Sequence, residues 1–502
     1  MNPAHSIKLI NAIENQFPVD EWKIDGVHVW PLIRINENWN RKKNINNLKQ
    51  TRKRFHNLRQ QIQTGKQIIK AQANFIRAFI SDRNNNQCKT NYYPVVFGAN
   101  AISRRLLIYD RWYHILCDPF IDYFESKNIP VCTLEFSVKG RYRIPRYRPS
   151  IYLQPQVDKT RIITNFFAAS TSECKLPGYK QIRQLFEQNK LQFLIPKIDA
   201  LKFNVKLLIA YRDLYLRIFT KLRPQIGFFI CYYSILGMAF NLACRTFGIP
   251  SFDVQHGVQG EYNIAYGSWQ NVPKNGYELL PSYFWCWGVE EYEIIKKWSK
   301  RTNSCHQPII GGNLFIKKWL KEGKTFQTYK LLTNQVVNSE NVNILITHQG
   351  VPLPDWFIKT VEKSNSNIKW FLRLHPSTDI ATYSGSDIPN LSRCENVEIS
   401  HATTLPVLAL LEKMSIHVTQ WSSTVMEAKV LGIPSIIIHE YGNVFYSHEI
   451  KKGLVNVAFS SERFNNLVES IITSCKSDKI MTNNGDISDR AFDSVLDMIK
   501  LH

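Results

Sequence analysis

The chain has 502 residues, of which 44% are hydrophobic and 21% charged, and it carries a formal net charge of +22. This is ordinary globular composition, so disorder, collagen and simple coiled coil are excluded for the bulk of it. The length suits two to four domains at about 150 residues each. A charge this positive directs attention to anionic partners. No nucleic-acid-binding motif accompanies it, so the inner leaflet of a membrane is the expected partner rather than nucleic acid.

The ten cysteines are scattered, with no CxxC pair and no zinc-ligand spacing. They predict free thiols in a reducing, cytoplasmic compartment. Met1 to Phe17 lacks the basic-then-apolar layout of a signal peptide.

In chain order, residues 1–90 read as an N-terminal extension, partly helical and basic. Within it lie a short apolar segment, Val27 to Arg34, and a basic run, Arg41 to Arg59, with eight Lys/Arg and no acid. A helix is expected from Gly65 to Asp82. Residues 91–316 then alternate. Strands are predicted at Pro94–Phe97, Leu106–Tyr109 and Pro130–Phe136, with a helix at Pro119–Ser126 and a second basic run, Arg141 to Arg148. Long helical patterns occupy Lys175 to Arg223. Pro224 to Cys244 holds 21 residues without a charge, long enough to span a membrane. Its pattern instead reads as a strand (Gln225–Tyr233) and a helix (Ser234–Phe247), turned at Gly248 into another strand at Ser251–Gln255. That is a βαβ unit.

Residues 317–341 are polar and lysine-rich and read as a linker. Over 342–502 the alternation restarts, with strands at Val342–Thr347, Ile368–Leu374, Ser415–Thr419 and Pro434–His439 and closing C-terminal helices. The fold class is therefore α/β, with two Rossmann-like domains facing a cleft.

Open α/β sheets bind ligands beyond the carboxyl ends of their strands, and three places qualify. Arg373-Leu-His375-Pro376 ends a strand and offers a permanent cation and an imidazole to a phosphate. Thr419 to Thr424 joins a strand to a helix. There Ser422, Ser423 and Thr424 offer hydroxyls, and Glu427, one turn in, suits a ribose. Asp253-Val-Gln255-His256-Gly257 follows the βαβ unit. His256 or nearby Glu261 suits proton abstraction from an acceptor hydroxyl. Gln255, Tyr262 and Tyr266 suit contacts to a sugar ring.

This combination resembles bacterial capsule and O-antigen glycosyltransferases of the B-type, two-Rossmann fold. The His-Pro and Ser-Ser/Thr elements are similar to those of bacterial sialyltransferases and teichoic-acid glycerophosphotransferases. Gly248 to Tyr266, Leu280 to Gly288 and Gly311-Gly-Asn313 are similar to surface-polysaccharide transferases. The resemblance spans roughly residues 225 to 460. It implies a metal-independent glycosyltransferase without a cofactor, moving a sugar from a nucleotide donor to a polysaccharide or lipid-linked glycan acceptor. His375 would act on the donor phosphate. Ser422, Ser423 and Thr424 would hold that phosphate or a sugar carboxylate. The sialyltransferases place an acidic pair before a glycine as base, and no such pair stands in the first domain. The base is therefore open among His256, Glu261 and Asp253. Two alternatives accompany this expectation: a nucleotide-sugar 2-epimerase, and a non-catalytic scaffold of envelope polysaccharide assembly. The expected location is the cytoplasmic face of the inner membrane.

Overall fold

The computed structural model describes residues 3–36, 92–137, 143–166, 173–375, 378, 383, 385–474 and 485–499. The basic run at Arg41–Arg59 and the helix expected at Gly65–Asp82 lie outside them. The chain divides into two compact units. Unit 1 is Pro3–Leu314 with the segment from Ile487 onward, and unit 2 is Phe315–Asp486.

Unit 1 carries strands β1 (Lys23–Ile24), β2 (Val27–His28), β3 (Val95–Asn100), β4 (Arg104–Ile108), β5 (Arg111–His114), β6 (Val131–Phe136), β7 (Ile151–Tyr152), β8 (Cys174–Lys175), β9 (Ile226–Ile230), β10 (Ser251–Val254), β11 (Tyr283–Cys286) and β12 (Gln307–Ile310). Seven of them form one sheet in the order β12-β11-β10-β9-β3-β6-β7, and every neighbouring pair is parallel. Strands such as Ile226-Gly-Phe-Phe-Ile230 are buried throughout, as expected of a parallel sheet covered on both faces. The expected βαβ unit is β9, the helix Ile235–Phe247 and β10. Ser234 caps that helix by accepting from the Gly237 N–H at 3.0 Å. No described helix is long and apolar enough to cross a membrane.

Several sequence expectations are corrected. The strand expected at Leu106–Tyr109 belongs to an antiparallel hairpin, β4 with β5, outside the main sheet. Its turn residues Tyr109 and Asp110 both have positive φ, the geometry of a tight two-residue hairpin turn.

The segment 317–341 is not a linker. It forms the helices Leu314–Lys321 and Gln327–Val336. Trp319 is fully buried, stacks on Phe326 at 4.5 Å and donates to Glu412 at 2.7 Å. Its lysines hid this reading, although Lys330 lies 5.6 Å over the Trp319 ring and pairs with Glu412 at 3.3 Å, its stem covering the aromatic group.

The C-terminal helix Gly485–Leu496 packs on unit 1 rather than closing the second domain. Phe492 stacks on Tyr123 at 3.6 Å and meets Phe120, Phe124 and Trp285 within 5.7 Å. Burying one such ring is worth about 1.5–3 kcal/mol.

The described part of the Arg141–Arg148 run is largely spent inside unit 1. Arg146 reaches Glu135 at 3.0 Å, and Arg148 pairs with Glu125 at 2.7 Å and with Asp122. Arg104 joins Arg146 on the same Glu135 oxygen at 2.8 Å. Burial works to raise the Glu135 carboxyl, but Arg104 and Arg146 overcome it and hold it at about 2.

The N-terminal residues are core rather than appendage. Glu14 and Arg34, both fully buried, pair at 2.7 Å. Glu14 also accepts from Trp30 Nε1 at 2.7 Å and from the Gln270 N–H at 2.6 Å. Arg34 donates to the Ile264 and Gly267 carbonyls and lies 4.1 Å over the Trp269 ring. The pair thereby fixes residues 264–270, the far end of the loop that follows β10.

Unit 2 carries β13 (Val342–Thr347), β14 (Ile368–Arg373), β15 (Val397–Glu398), β16 (Ile416–Thr419), β17 (Ser435–Ile437) and β18 (Val455–Val457). They form one parallel sheet in the order β15-β14-β13-β16-β17-β18. Both units thus have the doubly wound, parallel α/β architecture expected of Rossmann-like domains.

Removing one member of a buried ion pair typically costs about 3–5 kcal/mol. Arg34→Met should therefore lower the urea midpoint of unit 1. In Glu14→Gln/Arg34→Met the loss should fall short of the sum of the single losses, as measured in a double-mutant cycle.

Candidate functional site

In unit 2 the strand order reverses between β13 and β16. Successive strands run outward from β13 to β14 and β15, then return to β16 on its other side. Such a reversal opens a crevice at the carboxyl edge, where open α/β sheets take their ligands. Thr347, the last residue of β13, is in register with Arg373 on one flank and with Thr419 on the other. The Arg373-His375 loop and the hydroxyl-rich turn thus leave the same edge of the sheet, one strand apart on either side of β13. Neighbouring strands lie about 4.8 Å apart, so the two loops start roughly 10 Å from each other.

Side chains lock that row. Thr419 Oγ1 donates to the Thr347 carbonyl at 2.8 Å and accepts from the Ser422 N–H at 3.1 Å. His417, buried in β16, lies 2.8 Å from Thr347 Oγ1 and 3.0 Å from Ser435 Oγ, which ties β13, β16 and β17 together. Burial pushes its imidazole down to about 3, so it stays neutral.

The turn itself is ordered by its own hydroxyls. Ser422 Oγ lies 3.0 Å from Thr424 Oγ1 and accepts from the Thr424 N–H at 3.3 Å. Ser423 precedes the helix Thr424–Val430 and makes no capping bond with its side chain. Ser422, Ser423 and Glu427 are half-buried, and Thr424 is buried. Tyr446 OH donates to the Ser422 carbonyl at 2.5 Å. Gly442 lies so close to the Gln420 carbonyl that a Cβ would sit 2.1 Å from it, so only glycine lets the helix Glu440–Phe445 approach the turn. Trp421, His439 and Tyr441 form an aromatic group beside it, with ring centres 4.7–5.4 Å apart.

Two further residues stand at this edge. Arg373 donates through Nη1 to the Ala402 and Leu405 carbonyls at 2.6 and 2.5 Å. Part of its guanidinium thus caps the helix Ser400–Thr404, and the cation is held in place. Gln420 is fully buried. Its Nε2 donates to the Val351 and Pro352 carbonyls, and its Oε1 meets no hydrogen-bond partner among the described residues. His375 follows Leu374 at the end of β14, and Pro376 lies outside the described residues.

Sequence reasoning missed His348, directly after β13. Its Nδ1 accepts from the Gly350 N–H at 3.1 Å, and its Nε2 lies 3.1 Å from Asp387 Oδ2. This fixes the tautomer with the proton on Nε2. Burial works to raise the Asp387 carboxyl, but hydrogen bonds from His348, the Leu353 N–H and Tyr383 overcome it and hold it below its ordinary value. The strand-end rule that singled out Arg373 and Thr419 points equally to Thr347-His348-Gln-Gly350.

In unit 1 the candidates share the loop after β10 but not one environment. Asp253 is fully buried and accepts from the Tyr232 N–H at 2.9 Å and from Tyr266 OH at 2.8 Å. Burial pushes its carboxyl up to about 7. Tyr266 is thus buried and committed to Asp253 rather than presented to a sugar. Gln255 is also fully engaged. Its Nε2 donates to the Gly257 carbonyl at 2.9 Å, and its Oε1 accepts from the Trp287 N–H at 2.6 Å. His256 Nε2 lies 3.2 Å from Tyr233 OH, and burial pushes the imidazole down to about 4. Glu261 is exposed and Tyr262 half-buried. Among the described residues no group of three or more His, Cys, Asp or Glu is placed to hold a metal ion.

No protein-family model matches the chain, and no curated protein matches it by sequence. Solved structures of similar fold include the UDP-GlcNAc 2-epimerase of Neisseria meningitidis bound to UDP-GlcNAc. It is 13% identical at a TM-score of 0.49, over 80% of this chain and 99% of that one. The Methanocaldococcus jannaschii UDP-GlcNAc 2-epimerase, in complex with UDP-GlcNAc and UDP, is 12% identical at 0.49, over 80% and 99%. The glycosyltransferase SnogD of Streptomyces nogalater is 12% identical at 0.43, over 81% and 99%. Likeness at this level assigns neither substrate nor reaction.

A carboxyl whose folded pKa is raised binds its proton more tightly in the native state than in the unfolded chain. Stability is then greatest below the unfolded value near 3.8 and falls as pH rises toward 7. Asp253→Asn should flatten this fall between about pH 4 and 7, as read from urea midpoints across that range. An unaltered slope would show that Asp253 is not the titrating group.

Proposed function

We propose that the protein is an enzyme acting on a nucleotide-activated sugar, with the donor's phosphates bound at the carboxyl edge of unit 2. The observation that carries this reading is the register row Arg373–Thr347–Thr419. It brings a cation-bearing loop and a hydroxyl-bearing turn to either side of the strand-order reversal. Arg373 supplies fixed positive charge, and His375 and the hydroxyls of Ser422, Ser423 and Thr424 supply donors. Together they stabilise the charge that develops on a departing nucleotide. Glu427, one turn into its helix, accepts from ribose hydroxyls. Trp421 and Tyr441 offer ring faces beside the same turn.

The reaction proposed is transfer of the sugar to a surface-polysaccharide or lipid-linked glycan acceptor. Attraction to an anionic inner-membrane surface rests on the overall charge of +22, since Arg146 and Arg148 are spent on ion pairs within unit 1. A second reading is epimerisation at the sugar C2, which needs no acceptor and would proceed on the nucleotide sugar alone.

The test is a panel of UDP-, CMP-, GDP- and CDP-sugars with the full chain in D2O, with and without glycan acceptors. Transfer releases nucleotide in step with acceptor and leaves the sugar free of deuterium. Epimerisation needs no acceptor and places deuterium at C2. His375→Ala should lower turnover about 10²- to 10⁴-fold while the nucleotide-induced rise in Tm persists. If none of the nucleotides raises Tm, the reading fails.

A further inference from the structure

A cavity of about 740 Å³ lies in unit 2 between the helices Asp355–Glu362 and Ser461–Ser474, over the first residues of β13 and β14. Ligand pockets commonly measure about 300–1,000 Å³, so a small molecule or part of a chain has room here. The cavity is separate from the carboxyl-edge crevice. Val342 and Ile368, the first residues of their strands, line it, whereas Thr347 and Arg373 end those strands. At about 3.3 Å per residue, the two edges are roughly 16 Å apart.

Its walls divide by chemistry. The hydroxyls are already committed. Thr360 Oγ1 lies 2.7 Å from Ser461 Oγ, and Ser364 Oγ accepts from Trp370 Nε1 at 2.8 Å and from Asn396 Nδ2 at 3.0 Å. Apolar surface is left open beside them: Val342, Trp356 and Ile368 are half-buried, and Ile472 is 39% exposed. The rim is polar. Lys359, Lys363, Asn365, Asn367, Asn465 and Glu469 all line the cavity and are exposed. Among the described residues, none of these six side chains is committed to another protein group.

We propose that this cavity binds a carbohydrate chain. A sugar ring presents apolar C–H faces bounded by hydroxyls, and each hydroxyl both gives and accepts a hydrogen bond. The Trp356 ring and the aliphatic wall match the faces. The three asparagines match the hydroxyls, since each carboxamide carries donors and an acceptor. Other ligand classes fit less well. A phosphate or sulfate group has only acceptors to offer, so the lysines suit it but the amide oxygens and the Glu469 carboxylate do not. A purely apolar ligand would cover the amides and return nothing to them. Holding a glycan at a second site also raises its effective concentration at the enzyme. That this chain is the acceptor of the transferred sugar rests on the function proposed above, but its binding does not.

The experiment applies the labelled full-length protein to an array of neutral and acidic oligosaccharides, beside two variants. Asn465→Trp fills the cavity from its rim, and Asn365→Ala/Asn465→Ala removes two amides. The inference expects at least one oligosaccharide to capture the natural protein. Asn465→Trp should abolish that capture, and the double variant should weaken it about 10- to 100-fold, the worth of two lost hydrogen bonds. Capture should persist in saturating UDP, CMP, GDP or CDP, because the carboxyl edge lies elsewhere. Both substituted positions are exposed, so Tm should hold. Should Asn465→Trp lower it, the double variant decides alone. If no oligosaccharide captures the natural protein, if the variants are captured as well as it is, or if nucleotide abolishes capture, the inference is overturned. The nucleotides are judged apart by their effect on Tm: capture without any nucleotide-induced rise upholds the cavity and removes the donor site.

Discussion

A single buried ion pair, Glu14 with Arg34, gives unit 1 its working form. Neither charge has access to water, so each must be met in full. Glu14 spends its two oxygens on Arg34, Trp30 and the Gln270 backbone. Arg34 spends its donors on Glu14 and on two carbonyls of the loop after β10. The N-terminal helix Pro3–Gln16 and a loop about 250 residues further on are thereby held to one geometry. Tyr266, which donates to Asp253, lies within the segment so held.

Unit 2 reaches a defined edge by a different route. Its row at the carboxyl end is fixed by neutral groups, namely Thr347, His417, Thr419 and Ser435, threaded across three strands. Neutral hydrogen bonds of this sort are individually modest. They carry no charge of their own, so the local field at the edge is left to Arg373, to the His348–Asp387 pair and to the turn's backbone. A preset cation and preset donors need little reorganisation when a charged ligand arrives.

Much of the fold was legible because parallel strands buried on both faces leave near-continuous apolar runs. Phe-Phe-Ile at 228–230 and Ile-Leu-Ile at 344–346 are such runs, and the strand-end rule then led directly to Arg373 and Thr419. What escaped reading was contact between distant segments. Nothing local in Lys317–Asn341 says that Trp319 finds Phe326 and Glu412, and nothing near Phe492 names Tyr123 as its neighbour. The roles within the β10 loop were illegible for the same reason. Gln255 and Tyr266 look available to a ligand in sequence, and only the groups folded around them show that both are spent. The arginines at 146 and 148 read as surface charge because their carboxylates, Glu135, Asp122 and Glu125, lie on other elements.

The return of the last helix to unit 1 bears on how the chain is made. A ribosome delivers residues in order, and domains commonly fold as they emerge. Here the aromatic patch of Phe120, Tyr123 and Trp285 waits for Phe492 until unit 2 has been synthesised. All of unit 2 is threaded into the interval. The nascent first half must therefore keep an apolar face uncovered through that time.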